Sequence, residues 1–131
     1  MDSMLPPGSI VHVATPADWA HGAETPHYQA AHFAVEGFHH ACTPAQVAAV
    51  LGRHFSGHRL LLLLVVDTAR LSSPMRWESA QGQEYPHVYG PIERAAVTEV
   101  IPIEGDSFGE FILPEWATTP PGVRSMHPWT P

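Results

Sequence analysis

Residues Leu60 to Val66 form an unbroken run of seven apolar side chains. The run is far short of the ~20 residues a membrane-spanning helix needs. Side chains on a strand alternate between two faces, so a strand made of this run is apolar on both. It must then be central, with cover on each side. Any fold open to this chain has to supply that cover.

Length limits how it can do so. At 131 residues the chain makes one domain. Apolar residues are 44% and charged residues 15%, a globular composition rather than a disordered one. Residues 1–9 contain Pro6, Pro7 and Gly8 and read as a flexible lead-in. Ile10–Ala14 reads as the first strand. Thr15 and Pro16 open a short helix that carries Trp19, with Thr at the N-cap and Pro at the first helical position. Residues 23–35 give no clear signal. Gly37 to Cys42 is expected to be a second strand. Thr43-Pro44-Ala45-Gln46 is a capping box, and the helix behind it buries Val47, Val50, Leu51 and Phe55.

After the apolar run, Met75–Glu78, Tyr85–Tyr89 and Val97–Ile103 read as short strands, with Pro102 marking a sheet edge or a strand end. Phe111–Leu113 could add another. Residues 114–131 are rich in Pro and read as an irregular tail, so the domain is expected over 10–113. With about six strands and two helices, and no sustained βαβ alternation, the expected class is α+β with a split, mostly antiparallel β-core.

Charge and residue usage exclude several functions. All six cations are Arg, and the formal charge is −7. Without Lys there is no Schiff base and no P-loop. The acidic balance argues against nucleic acid. The single Cys42 excludes an internal disulfide. The N-terminus shows neither a basic region nor an apolar stretch of signal length, so a cytoplasmic protein without membrane contact is expected.

Ten histidines are the unusual feature. Strand periodicity places His12 with Ile10 and Ala14, His40 with Phe38 and Cys42, and His87 with Tyr89. Each would be half-buried or buried, and a buried imidazole needs a partner. A shared cleft meets that need. His54 and His58 flank a helix C-terminus, where cations are favoured at the surface. His21, His27, His32 and His127 read as loop residues. No metal site is expected. There is no His-x-x-x-His on a helix and no His-x-His, and the adjacent His39 and His40 face opposite ways.

Several stretches are spaced as in a known family. They are Ile10-Val11-His12-Val13, Ala17-Asp18-Trp19, Glu36-Gly37-Phe38-x-His40, Thr43-x-x-Gln46-Val47, Arg76-Trp77-Glu78 and Tyr85-Pro86-His87-Val88-Tyr89-Gly90-Pro91. Across about residues 10–111 the chain resembles the bacterial domain of unknown function 952 family. The resemblance implies a fold similar to the ADP-ribosyltransferases, with a cleft that holds NAD in the working relatives. It would put His12 in the first-strand position of the site, His40 and Cys42 on the second strand, and Glu78 or Glu84 as the acidic member. One stretch departs from the pattern. Where the family reads Gly-Phe-Ile-His-Cys-Ser, this chain has Gly37-Phe38-His39-His40-Ala41-Cys42, which suggests a specialised substrate.

The leading expectation is an enzyme that does acid/base chemistry on a small molecule: a cyclisation, elimination or isomerisation, as in a biosynthetic tailoring step. His12, His40, His87 and Tyr89 would be catalytic. Trp19, Phe38, His39, Cys42, Trp77 and Glu78 would contact substrate. The alternative is an NAD-binding ADP-ribosyl or phosphate-ester transferase, with Arg53, Arg59, Arg76 and Arg94 as phosphate partners. A non-catalytic ligand-binding module is the third reading. The chain is expected to act as a monomer or homodimer.

Overall fold

The computed structural model describes residues 5–106 and 110–117. In chain order the elements are β1 (Ser9–Ala14), α1 (Pro16–Ala20), β2 (His27–Tyr28), α2 (Phe33–Glu36), β3 (His39–His40), α3 (Val47–His54), β4 (Leu60–Asp67), β5 (Met75–Ala80), β6 (Gln83–Val88), β7 (Ile92–Glu93) and β8 (Val97–Glu104). Short 3₁₀ turns lie at Pro44–Gln46, Thr68–Arg70, Arg94–Ala96 and Glu115–Ala117. The class is α+β, and every strand pairing among the described residues is antiparallel.

The apolar run is β4, the middle strand of a β1-β4-β8 sheet. Its two faces feed two separate cores, as an all-apolar strand requires. Leu64 and Val66 pack with Ile10, Tyr28, Val88 and Ile92. Leu61 and Leu63 pack on the other side with Val47, Leu51 and Ile103. Pro102 sits in β8 at the sheet edge, where its missing N–H breaks no ladder.

The caps are where the sequence places them. Thr15 Oγ1 accepts from the Asp18 N–H ahead of α1. The Thr43–Gln46 capping box forms, and Gln46 also donates to the Glu84 carbonyl, which ties α3 to β6.

Three expectations need correction. The silent stretch 23–35 holds β2 and the start of α2, both too short for a periodic signal. Phe111–Leu113 is no strand; Phe111 makes only an isolated bridge with Gly105. The domain also runs past residue 113, because Trp116 packs on the second core and Ala117 is buried within it. The rest of the tail lies outside the described residues. At the other end, strand structure starts at Ser9, and Thr68 donates twice to the Gly8 carbonyl.

The remaining strands form a β3-β6-β5 sheet and a β2-β7 pair. Val11 and Cys42 exchange two backbone hydrogen bonds of 2.8 Å, an isolated bridge that joins β1 to the segment after β3. Beside that bridge the two three-stranded sheets part, and the gap is the cleft described below.

Gly90 follows β6 where nothing larger fits. A Cβ there would stand 2.8 Å from the Ser73 Cβ and closer still to its Oγ. Gly90→Ala should therefore destabilise the fold by about 1–3 kcal/mol through overpacking. Urea denaturation of the two proteins tests this, and equal midpoints would contradict it.

Candidate active site

A cleft of about 430 Å³ lies between β1, β3, α3 and β6. That is within the range of small-molecule sites. Val11, Val13, Ala41, Val50 and Phe55 give it apolar walls, and His12, His32, His40, His54 and His87 supply polar positions. Rings follow one another across it. His12 and His32 are 6.4 Å apart, His32 and His40 5.7 Å, and His40 and His87 5.1 Å between centroids.

His12, His40 and His87 therefore do share one cleft, but they are not equivalent. His12 is almost wholly buried, and both ring nitrogens are engaged. Its Nδ1–H donates to the His40 carbonyl at 2.6 Å, which leaves Nε2 to accept from the Tyr28 hydroxyl at 2.9 Å. Burial outweighs the hydrogen bond to His40 and pushes its pKa down to about 3. His12 is a neutral prop under the His40 backbone and not a proton carrier.

His87 is different. Its Nδ1 lies 2.6 Å from Glu78 Oε1, and its side chain is 11% exposed. Register explains the meeting. Arg76 pairs with His87 across β5 and β6, and Glu78 is two residues further along the same face. Tyr89 donates to the same carboxylate at 2.8 Å. The hydrogen bonds from His87 and Tyr89 hold the Glu78 carboxyl below its ordinary pKa. With Nδ1 taken, the other ring nitrogen of His87 has no hydrogen-bond partner among the described residues. Phe38 stacks on the ring at 4.5 Å and fixes its plane.

His40 is exposed and pairs with Glu36 at 3.0 Å. Burial of its inner edge lowers its pKa, while the Glu36 carboxylate opposes that.

Other expected contacts are not in the cleft. His39 is buried on the opposite side of β3, because neighbouring strand residues face opposite ways. It accepts from the Ala30 N–H through Nε2 and donates from Nδ1 to the Gly90 carbonyl, both at 3.0 Å. Phe33 stacks on it at 4.7 Å. His39, where the resemblance implied Ile, thus sits in the core and does not shape the cleft. Trp19 packs on Tyr28 beneath Arg94. Trp77 is half-exposed on β5, outside the cleft lining. The Tyr89 hydroxyl hydrogen points to Glu78, so Tyr89 orients the pair and does not meet substrate.

Among the described residues, Arg53 is the only arginine lining the cleft. Arg76 lies over Tyr89 and Arg94 over Trp19, so neither serves a phosphate there.

Cys42 lines the cleft but is 2% exposed, and burial pushes its thiol up to about 12. That is the opposite of an activated nucleophile. Iodoacetamide at about pH 8 should label it only as fast as the chain opens. Rapid labelling of folded protein, followed by mass spectrometry, would contradict the burial.

His32, expected as a loop residue, and Glu36, with no site role expected, also line the cleft. The available signal was His32-x-x-x-Glu36-x-x-x-His40, which a search for paired histidines alone passes over.

Comparison with known proteins agrees with this architecture. The family model described as protein of unknown function (DUF952) matches residues 13–100. The chain belongs to this family. The fold is similar to the crystal structure of protein CC0527 from Caulobacter crescentus. The TM-score is 0.72 at 26% identity, over 80% of this chain and 94% of that one. The solution structure of CC0527 gives a TM-score of 0.66 at 24% identity, over 82% and 92%. No curated protein matches. No helix among the described residues is long and apolar enough to cross a membrane.

Proposed function

We propose that this DUF952 protein is an enzyme that moves a proton on a small, largely apolar molecule bound in the cleft. The reaction class is a cyclisation, elimination or isomerisation. One observation carries the reading: a carboxylate-oriented histidine at the wall of an apolar cleft, with its second ring nitrogen unpartnered. Glu78 fixes the tautomer with the proton on Nδ1, which leaves Nε2 as the basic nitrogen. When Nε2 takes a proton, Glu78 faces the imidazolium that forms. His40, paired with His87 across β3 and β6 with the rings 5.1 Å apart, meets a heteroatom of the substrate. A positioned base of this kind contributes typically ~10²–10⁴-fold.

The test is proton exchange at carbon. The protein in D₂O is incubated with a panel of β-keto acids, β-keto esters and aryl ketones, and loss of the C–H signal is followed by NMR. Exchange on at least one compound should exceed that with His87→Gln by roughly 10²-fold or more. Equal exchange by wild type and variant on every compound would sink the proposal.

A further inference from the structure

His32, Glu36 and His40 point at one another from the rim of the cleft. Their nearest ligating atoms, two imidazole nitrogens and a carboxylate oxygen, all lie within 4.8 Å of one another. His40 Nε2 is 3.0 Å from Glu36 Oε1, and His32 Nε2 is 3.8 Å from the same oxygen.

The chain builds this cluster locally. His32 and Glu36 are four apart on the turn of α2, so they share a face. Gly37, at φ +83°, ends that helix in the left-handed region, which glycine adopts without steric cost. The chain reverses there and brings His40 back to Glu36. His12 holds the far side by its hydrogen bond to the His40 carbonyl.

A second observation concerns the His32 ring. Among the described residues, His32 Nε2 is buried and has no hydrogen-bond partner, although Glu36 Oε1 is 3.8 Å away. A buried polar atom left unsatisfied is costly, so such atoms call for an explanation. A cation placed among the three side chains would engage that nitrogen.

We infer that His32, Glu36 and His40 form a binding site for a divalent transition-metal ion of the Zn²⁺ or Co²⁺ type. Two imidazoles and one carboxylate are the donor set such ions take in sites that keep a position open. Closing onto Zn²⁺ at about 2.0–2.2 Å per ligand needs His32 to approach by roughly an ångström. All three residues line the cleft, as does His87, so the open position would face the cleft. A substrate oxygen bound there would be polarised beside the His87 base. This deepens the acid/base reading, although the site itself rests only on the three ligands.

The experiment is metal binding, read without any activity. Zn²⁺ competition with a chromogenic chelator should give one ion per chain, with a Kd in the micromolar range or tighter. Co²⁺ should give visible d–d bands. Zn²⁺ should also shift the imidazole nitrogens of His32 and His40 in NMR spectra. His32→Ala, His40→Ala and the near-isosteric Glu36→Gln should each weaken binding at least tenfold, in the range seen when a metal site loses a supporting group. His27→Ala and His58→Ala should leave it unchanged. Circular dichroism checks that each variant is folded, and His32→Gln replaces His32→Ala if that variant is not.

Absence of stoichiometric binding would overturn the inference, as would binding that survives both Glu36→Gln and loss of His32. Carbon-acid exchange that depends on His87 but persists unchanged in chelator would leave the proton-transfer reading intact and remove the metal from it.

Discussion

Denaturant titrations between pH 7 and pH 4 should show a steep loss of stability below about pH 6.5, approaching roughly 2.7 kcal/mol per pH unit. Two histidines cause it. His12 and His39 are essentially buried, and burial lowers their pKa values to about 3 and about 4, well under the ordinary 6.5. Below 6.5 the unfolded chain binds two protons that the folded chain refuses. Their contribution is therefore complete above that pH and is lost as pH falls toward the folded values. Each histidine gives about 1.4 kcal/mol per pH unit across the window. By pH 4 the pair accounts for several kcal/mol, comparable with a typical total stability of about 5–15 kcal/mol.

The two groups resist protonation for different local reasons. The Tyr28 hydroxyl can turn and accept from a protonated His12, so there desolvation, with the neighbouring His39, His32 and His40, opposes the charge. The Ala30 N–H cannot turn, and a proton on His39 Nε2 would break that hydrogen bond outright. His39→Ile, which removes one of the two buried imidazoles, should therefore roughly halve the slope. A stability that stays flat from pH 6.5 to 4.5 would show that both rings remain solvated.

Glu78→Gln should cost roughly 10²–10⁴-fold in the exchange reaction that depends on His87. The change is nearly isosteric, so the fold should survive. What changes is the direction of the hydrogen bonds. Glu78 accepts from both His87 and Tyr89. A glutamine has one acceptor oxygen, and if Tyr89 keeps it, the amide NH₂ faces His87 Nδ1. The proton then moves to Nε2, and the base is lost without any loss of side chain. Two-bond ¹⁵N–¹H NMR of the imidazoles reads that tautomer directly, apart from turnover. Tyr89→Phe frees one carboxylate oxygen and should cost less. If Glu78→Gln keeps both full exchange and the Nδ1–H tautomer, Glu78 does not orient the base.

Much of this was legible locally. Alternation along β1 set His12 with Ile10 and Ala14, and the structure keeps those faces. The same alternation separated His39 from His40. It could not say which side of β3 is cleft and which is core, so His39 was expected to touch substrate. The choice is made by pairing: β3 lies against β6 in one sheet, and the Val11–Cys42 bridge holds β1 beside it. Trp19 and Trp77 were misplaced for the same reason, since aromatic character marks a surface to be covered and not the partner that covers it.

The central strand, the two-sided core and the starts of α1 and α3 were readable from local patterns alone. Those depend on side-chain period and capping chemistry within a few residues. The sequence also held Glu78 and His87 in two separate motifs, with Glu84 as an equal candidate, and the β5–β6 register is what pairs them. Only the tertiary structure decided which histidines share the cleft, which two are locked neutral, and that His32 and Glu36 join His40. Those outcomes depend on contacts between segments distant in the chain, and on one left-handed glycine, Gly37, that turns His40 back toward α2. Periodicity has no reach over such distances. Burial and hydrogen-bond satisfaction do, because each buried polar group must find its partner wherever the fold places it.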